Sequence, residues 1–179
     1  ATAAIDQPNA AAWKAAGVPY VVTGSSKTNA DGSIAIHYQL YDVEKGSYLL
    51  NEMLTVPASR TRQAAHLISD TIFQALTGIA GDFSGRIAYV LRNPATPEQR
   101  YTLQIADTDG EQPKTILTSR DPILSPAWTP DGKGIAYVSF ESKRPAIYLQ
   151  NLSSGSREKL TSFRGLNGAP SFSPDGKSM

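Results

Sequence analysis

The phrase "PDGK" occurs twice, at 130–133 and 174–177, so the two copies stand 44 residues apart. The register extends upstream through Pro126 and Pro170 and through Trp128 and Phe172. A period of this length is that of a propeller blade, a unit of short strands that cannot bury both faces alone and must stack on its neighbours. Within the phrase, Pro fixes φ at the first corner and Gly permits a positive φ, so "PDG" reads as a tight turn with no chemistry required. Further pairs fit the same plan. "IAYV" at 87–90 recurs at 135–138, and "LTS" at 117–119 recurs at 160–162. Each unit is expected to hold four short strands. In the clearest unit these are an inner strand with Ala127 and Trp128, then 135–140, 146–150, and a last strand near Lys159 and Leu160. Met179 falls inside the second strand of the following unit, so the chain is expected to be a fragment with about two blades, at 81–179.

The first half has a different grammar. Pro8 suits a first helical position, and the alanines around Trp13 favour helix as far as Gly17. The β-branched stretch 18–28 predicts a strand, "NADG" at 29–32 a turn, and the alternation of Ile34, Ile36, Tyr38 and Leu40 a second strand with His37 on its wetter face. A third strand runs through 48–56. Ser59 is then expected to cap a helix with Ala65, Ile68, Ile72 and Leu76 at helical spacing, ended by Gly78. An antiparallel sheet covered by helices, with Trp13 packed between them, makes an α+β domain over 1–80, and "TGIAGDFSG" at 77–85 marks its boundary.

Composition narrows the partners. The 17 basic and 16 acidic side chains leave a formal net charge of +1, which provides no long-range field to gather nucleic acid or an anionic membrane. The absence of cysteine excludes disulfides, thiolate metal sites and a thiol nucleophile. No apolar run approaches a membrane span, and no charged n-region with an apolar stretch opens the chain, so any signal peptide is expected to have been removed.

An α+β domain followed by such repeats resembles the TolB family of periplasmic propeller proteins of the Tol-Pal cell-envelope system. The likeness is carried by "AAWKAAGVPYVVTGSS", "YQLYD", "LTGIAGDFSGRIAYV" and "NGAPSFSPDG", in that order, and covers essentially the whole chain. It implies an α+β domain followed by an incomplete β-propeller, since the family closes a ring of six blades. It also implies a periplasmic binding platform and no enzyme. In the family the propeller mouth holds the peptidoglycan-associated lipoprotein Pal, and an N-terminal segment, which this chain is expected to lack, engages TolA. The system supports outer-membrane integrity, constriction at cell division and the import of some bacteriocins. The positions that match the family's Pal site are Leu124 and Ser125, before Pro126, and Leu166, Asn167, Gly168 and Ala169, before Pro170. Other members carry His where this chain has Leu166.

Other candidates have plainer explanations. Glu141, Lys143 and Arg144 form a charged loop that reads as a solvated turn or as part of the channel rim. His37 and His66 lack a second ligand at metal spacing, so no metal or catalytic site is expected there. "DTDG" at 107–110 reads as a turn, because the further acidic ligands of a calcium loop are missing. No cofactor is expected, with calcium in the wider channel left open. Tyr89, Trp128, Tyr137, Phe140, Tyr148 and Phe172 recur at equivalent strand positions and are expected to pack between blades. The alternative function class is a propeller attached to a prolyl-oligopeptidase-like serine hydrolase, which would need a catalytic domain outside this chain.

Overall fold

The structure is a computed structural model that describes residues 9–179. It divides into two compact units between Ser84 and Gly85.

The first unit opens with a short helix, α1 (Ala10–Ala15). Its N-cap is Asn9, whose side chain accepts from the Ala12 amide at 3.2 Å. The expectation for Pro8 lies outside the described residues. Three antiparallel strands follow in sequential order: β1 (Tyr20–Thr28), β2 (Ser33–Asp42) and β3 (Ser47–Pro57). The β1–β2 turn is closed by Gly32 N–H donating to Asn29 O at 3.0 Å, with Gly32 at φ 79°, a conformation glycine adopts without steric cost.

Helix α2 (Thr61–Thr77) packs on β3 and ends at Gly78, which is left-handed at φ 74°. Its start departs from expectation. Ser59 lies inside a preceding 3-10 turn (Ala58–Arg60), and Arg60 occupies the N-cap with no side-chain cap bond. The buried stripe is narrower than expected: Ala64 is fully buried and Ile68 and Ile72 are half-buried, whereas Ala65, Leu67 and Leu76 are exposed. Trp13 is 41% exposed, so it does not fill the layer between sheet and helices. Leu40, Tyr38 and Val43 form the buried apolar set of this unit with Ala64.

The segment after α2 stays with the first unit because Asp70 holds it. The Asp70 carboxylate accepts from the amides of Phe83 at 2.6 Å and Ser84 at 3.1 Å. Gly81 sits against the same residue, and a Cβ there would meet the Asp70 backbone at 2.6 Å. The division therefore falls four residues beyond the expected 80/81 boundary.

The second unit consists of two sheets. The first contains β4 (Arg86–Arg92), β5 (Tyr101–Asp107) and β6 (Lys114–Ser119). It has three strands where four were expected, since the residues ahead of β4 are tied to Asp70 and lack the "SPAW" phrase that makes an inner strand. The second sheet is a full blade in the order β10-β9-β8-β7, built from β7 (Ile123–Trp128), β8 (Gly134–Ser139), β9 (Ala146–Asn151) and β10 (Arg157–Thr161).

The two sheets share one core. Leu103 and Ile105 of β5 meet Ile123, Ile135, Tyr137, Ala146 and Tyr148 of the blade, with Trp128 packed against them. Tyr137 is wholly buried and stacks on Tyr148 at 6.2 Å between centroids. Its hydroxyl donates to Gln150 Oε1 at 3.1 Å, and Gln150 Nε2 donates across to Ile116 O at 3.3 Å, so one amide satisfies a buried phenol and bridges the sheets. The opposite face of the blade carries Ala136, Val138 and Ile147, with Phe140 and Phe172 against them. Five of the six aromatics assigned to packing thus sit in these two clusters, while Tyr89 is half-buried and donates to Gln104 Oε1 at 3.0 Å.

The repeated phrase folds identically in both copies. Gly132 N–H donates to Thr129 O at 2.9 Å and Gly176 N–H to Ser173 O at 2.8 Å, with both glycines at positive φ. Asp131 accepts from the Thr129 hydroxyl at 2.6 Å and the Lys133 amide at 3.1 Å. Asp175 accepts from Ser173 and Lys177 at the same two distances. These bonds, led by the hydroxyl, hold both carboxyls below the ordinary value of 3.8, and Ser33 does the same for Asp31. A carboxyl depressed in the folded state stabilises fully above its unfolded value, and that contribution is lost as pH falls through the folded value. We expect the melting temperature to fall on acidification below about pH 4. The variant with Asp31, Asp131 and Asp175 all changed to Asn should show a shallower fall, as read by thermal denaturation at stepped pH.

Candidate functional site

The antiparallel registers decide which loops share an end of the blade. Ile123 pairs with Ser139, Ser139 with Ala146, and Ile147 with Thr161. The start of β7, the turn 140–145 and the segment after β10 therefore lie at one end. The turns 129–133 and 152–156 lie at the other. All nine candidate residues belong to the first end or to the loop that leaves it, and the "PDG" turn at 130–132 does not.

Three of the candidates have a left-handed backbone: Lys143 in the charged turn at φ 63°, and two that share a second feature. Ser125 has φ 49° and Ala169 φ 52°, left-handed values that a side chain disfavours, and each directly precedes a proline. They stand 44 residues apart, one blade period. Strained non-glycine residues persist where the surrounding structure over-determines them, and they gather at ligand clamps. Changing Ala169 to Gly should relieve the strain and raise stability slightly, by about 0.5 kcal/mol after the extra freedom of glycine in the unfolded chain is counted. A small rise in melting temperature would show it. The opposite result would mean the left-handed turn is not strained.

Leu124 is 48% exposed on β7, beside the register shift that brings Ser125 out of the ladder. Leu166 is 95% exposed. Asn167, Gly168 and Ala169 line a hollow of about 430 Å³ with Leu166, Ile147, Thr161 and Phe163, and neither Leu124 nor Ser125 lines it. Asn167 itself is only 6% exposed. Its side chain accepts from the Phe163 amide at 3.0 Å and donates to Phe163 O at 2.8 Å, so a residue expected to touch a partner is turned inward. Phe163, which sequence reasoning passed over, is 75% exposed beside it. A repeat-by-repeat comparison offers no signal for Phe163, because the residue that follows "LTS" in the preceding repeat is Arg120.

The charged turn is anchored to its blade. Glu141 accepts from Arg157 at 2.8 Å. Burial raises the Glu141 carboxyl, but hydrogen bonds from Arg157 and Tyr148 outweigh it and leave the group below its ordinary value. Arg157 also lies 4.7 Å over the Tyr148 ring. Lys143 reaches Asp121 at 3.7 Å, with both groups partly or largely exposed, and Arg144 is exposed. Such an exposed pair contributes little to stability.

His37 Nε2 lies 2.7 Å from Asn51 Oδ1, and His66 is half-buried on α2. The 107–110 turn is closed by Gly110 N–H to Asp107 O at 2.8 Å, with Gly110 at φ 86°. No helix among the described residues is long and apolar enough to cross a membrane.

A four-stranded blade stacked on a second antiparallel sheet, with its turn chemistry repeated at 44 residues, defines a protein of the β-propeller class. The chain belongs to the TolB family. Residues 73–179 match the TolB beta propeller domain, and residues 1–49 match the TolB amino-terminal domain. The Tol-Pal system protein TolB of Acinetobacter baylyi is 78% identical over 168 residues, covering 94% of this chain and 40% of that protein. Its namesake from Alcanivorax borkumensis is 49% identical over 170 residues, covering 93% of this chain and 38% of that protein. The crystal structure of TolB from Acinetobacter baumannii superposes with a TM-score of 0.88 at 77% identity, over 96% of this chain and 43% of that one. The chain thus spans about 40% of the length of these relatives. They are named for the Tol-Pal system and for no enzyme, so the hydrolase-associated reading is set aside.

Proposed function

We propose that this chain forms part of a non-enzymatic interaction platform of the Tol-Pal system, acting in the periplasm, whose propeller mouth takes up the peptidoglycan-associated lipoprotein Pal. The observation that carries this reading is the pair of left-handed residues, Ser125 and Ala169, at one blade period and one end of the sheet. Leu124 and Leu166, near them in the sequence, are exposed. The Tol-Pal name of the relatives supplies the system, and preformed loops suit a protein partner because little ordering entropy is lost on binding. Within the same reading, TolA is engaged elsewhere in the full-length protein, and bacteriocin translocation segments compete for the mouth. The platform supports envelope integrity and constriction at division. Neither nucleic acid nor direct membrane insertion has a role in it, and it uses no cofactor.

Calorimetric titration of the soluble Pal domain into the full-length protein tests the proposal. Saturable binding with micromolar or tighter affinity is expected. Absence of heat at that concentration, with both proteins folded, would overturn it.

A further inference from the structure

We propose that Asn167 is a positioning residue of the mouth, which acts on a bound partner only through the loop 163–169 that it closes. This rests on the reading of the loop as a Pal-binding element. The carboxamide engages both main-chain groups of a single residue: Phe163 N–H donates to Oδ1 at 3.0 Å, and Nδ2 donates to Phe163 O at 2.8 Å. A third, longer bond runs from Nδ2 to Gly165 O at 3.5 Å. These contacts tie the start of the loop to its end across Gly165 at φ 96°.

Three consequences of the geometry support the assignment. Asn167 is 6% exposed while its neighbour Leu166 is 95% exposed, so the two residues divide holding and contacting between them. The loop has no strand or helix of its own among residues 162–169, so these side-chain bonds replace a ladder in closing it. The hinge after the clamp, Ala169, is already in a left-handed conformation. Without the clamp the strain there would favour other loop forms. Release of the clamp therefore lowers the fraction of molecules whose loop is ready to bind, and the apparent affinity falls by that fraction.

Asn is the side chain this role requires. It presents an acceptor and a donor from one planar group, matching the N–H and C=O of one residue. Asp at the same position keeps the acceptor but, when ionised, directs a negative oxygen at Phe163 O. Once protonated it regains a donor.

The test uses the full-length protein and the soluble Pal domain, with affinities measured by calorimetry across pH 4.5 to 7.5 and folding checked by circular dichroism. Asn167→Ala is expected to weaken binding roughly tenfold while the protein stays folded with a modestly lowered melting temperature. Asn167→Asp is expected to be as weak at neutral pH and to recover toward the wild type as pH falls, relative to the wild type at each pH. In a Leu166→Ala background, Asn167→Ala should add less than about twofold, because the clamp works through the loop that Leu166 tips. Full additivity, or wild-type affinity in both Asn167 variants, would overturn the inference while leaving Pal binding intact. Failure of the wild type to bind Pal would instead defeat the functional reading on which it rests. If Asn167→Ala unfolds the protein, the pH recovery of Asn167→Asp alone decides the matter.

Discussion

Replacing Tyr137 by Ala in the full-length protein should cost about 3–5 kcal/mol and lower the thermal transition by several degrees or abolish it. The residue has no exposed surface, stacks on Tyr148, and joins the core in which β5 meets β7, β8 and β9. Truncation would leave a cavity in the core that both sheets share. It would also remove the donor to Gln150, whose other end bridges to Ile116. Tyr137→Phe separates these contributions: it keeps the ring and should cost only about 1 kcal/mol for the lost hydrogen bond. Alkaline titration provides a second readout. Burial pushes the Tyr137 phenol from 10.0 up to about 12. The raised folded value means its contribution is complete below pH 10 and is lost as pH rises toward 12, because the unfolded chain ionises first. The Phe variant should show a weaker alkaline decline. A Tyr137→Ala protein that melts like the wild type would mean the sheets are held together elsewhere.

The second large effect is on binding. Leu166→Glu in the full-length protein should weaken Pal binding at least a hundredfold, about 2.7 kcal/mol, while leaving the melting temperature within a degree or two of the wild type. At 95% exposure the side chain contributes almost nothing to the fold, so any cost is paid at the interface. A carboxylate there must be desolvated against whatever the leucine meets. Calorimetry against the soluble Pal domain reads the loss directly. Unchanged affinity would remove Leu166 from the mouth and with it the main contact of the proposed platform.

The blade could be read from the sequence because its signals are local and doubled. "PDG" specifies a turn by residue type alone, and its second copy confirms the register; the hydroxyl-to-Asp bonds at 129–131 and 173–175 show the two copies to be the same object. Gly78 was legible for the same reason, as a glycine where a helix must end left-handed. What escaped was decided by tertiary context. Ser59 is a good cap by type, yet the chain enters α2 through a 3-10 turn and gives the cap position to Arg60. A strand was expected ahead of β4, but Asp70 on a neighbouring helix captures the amides of Phe83 and Ser84. At the candidate site, the orientation of the Asn167 side chain was not legible. "NG" at 167–168 looks like an exposed turn, and nothing in the residue types says that the amide folds back onto Phe163. The left-handed state of Ser125 and Ala169 has no signature in residue type either, though the shared position before proline, one period apart, was visible.

The separation of the blade's two ends has a practical corollary. The turn at 152–156 is exposed at Ser153 and Ser154 and closed by Asn151, whose side chain accepts from both amides at 2.9 Å. It lies on the far side of the sheet from the loops bearing Leu124 and Glu141. A fluorophore or surface tether attached there would leave the proposed mouth unobstructed, so the protein could be immobilised or tracked in a fixed orientation with Leu124 and Leu166 facing the solution.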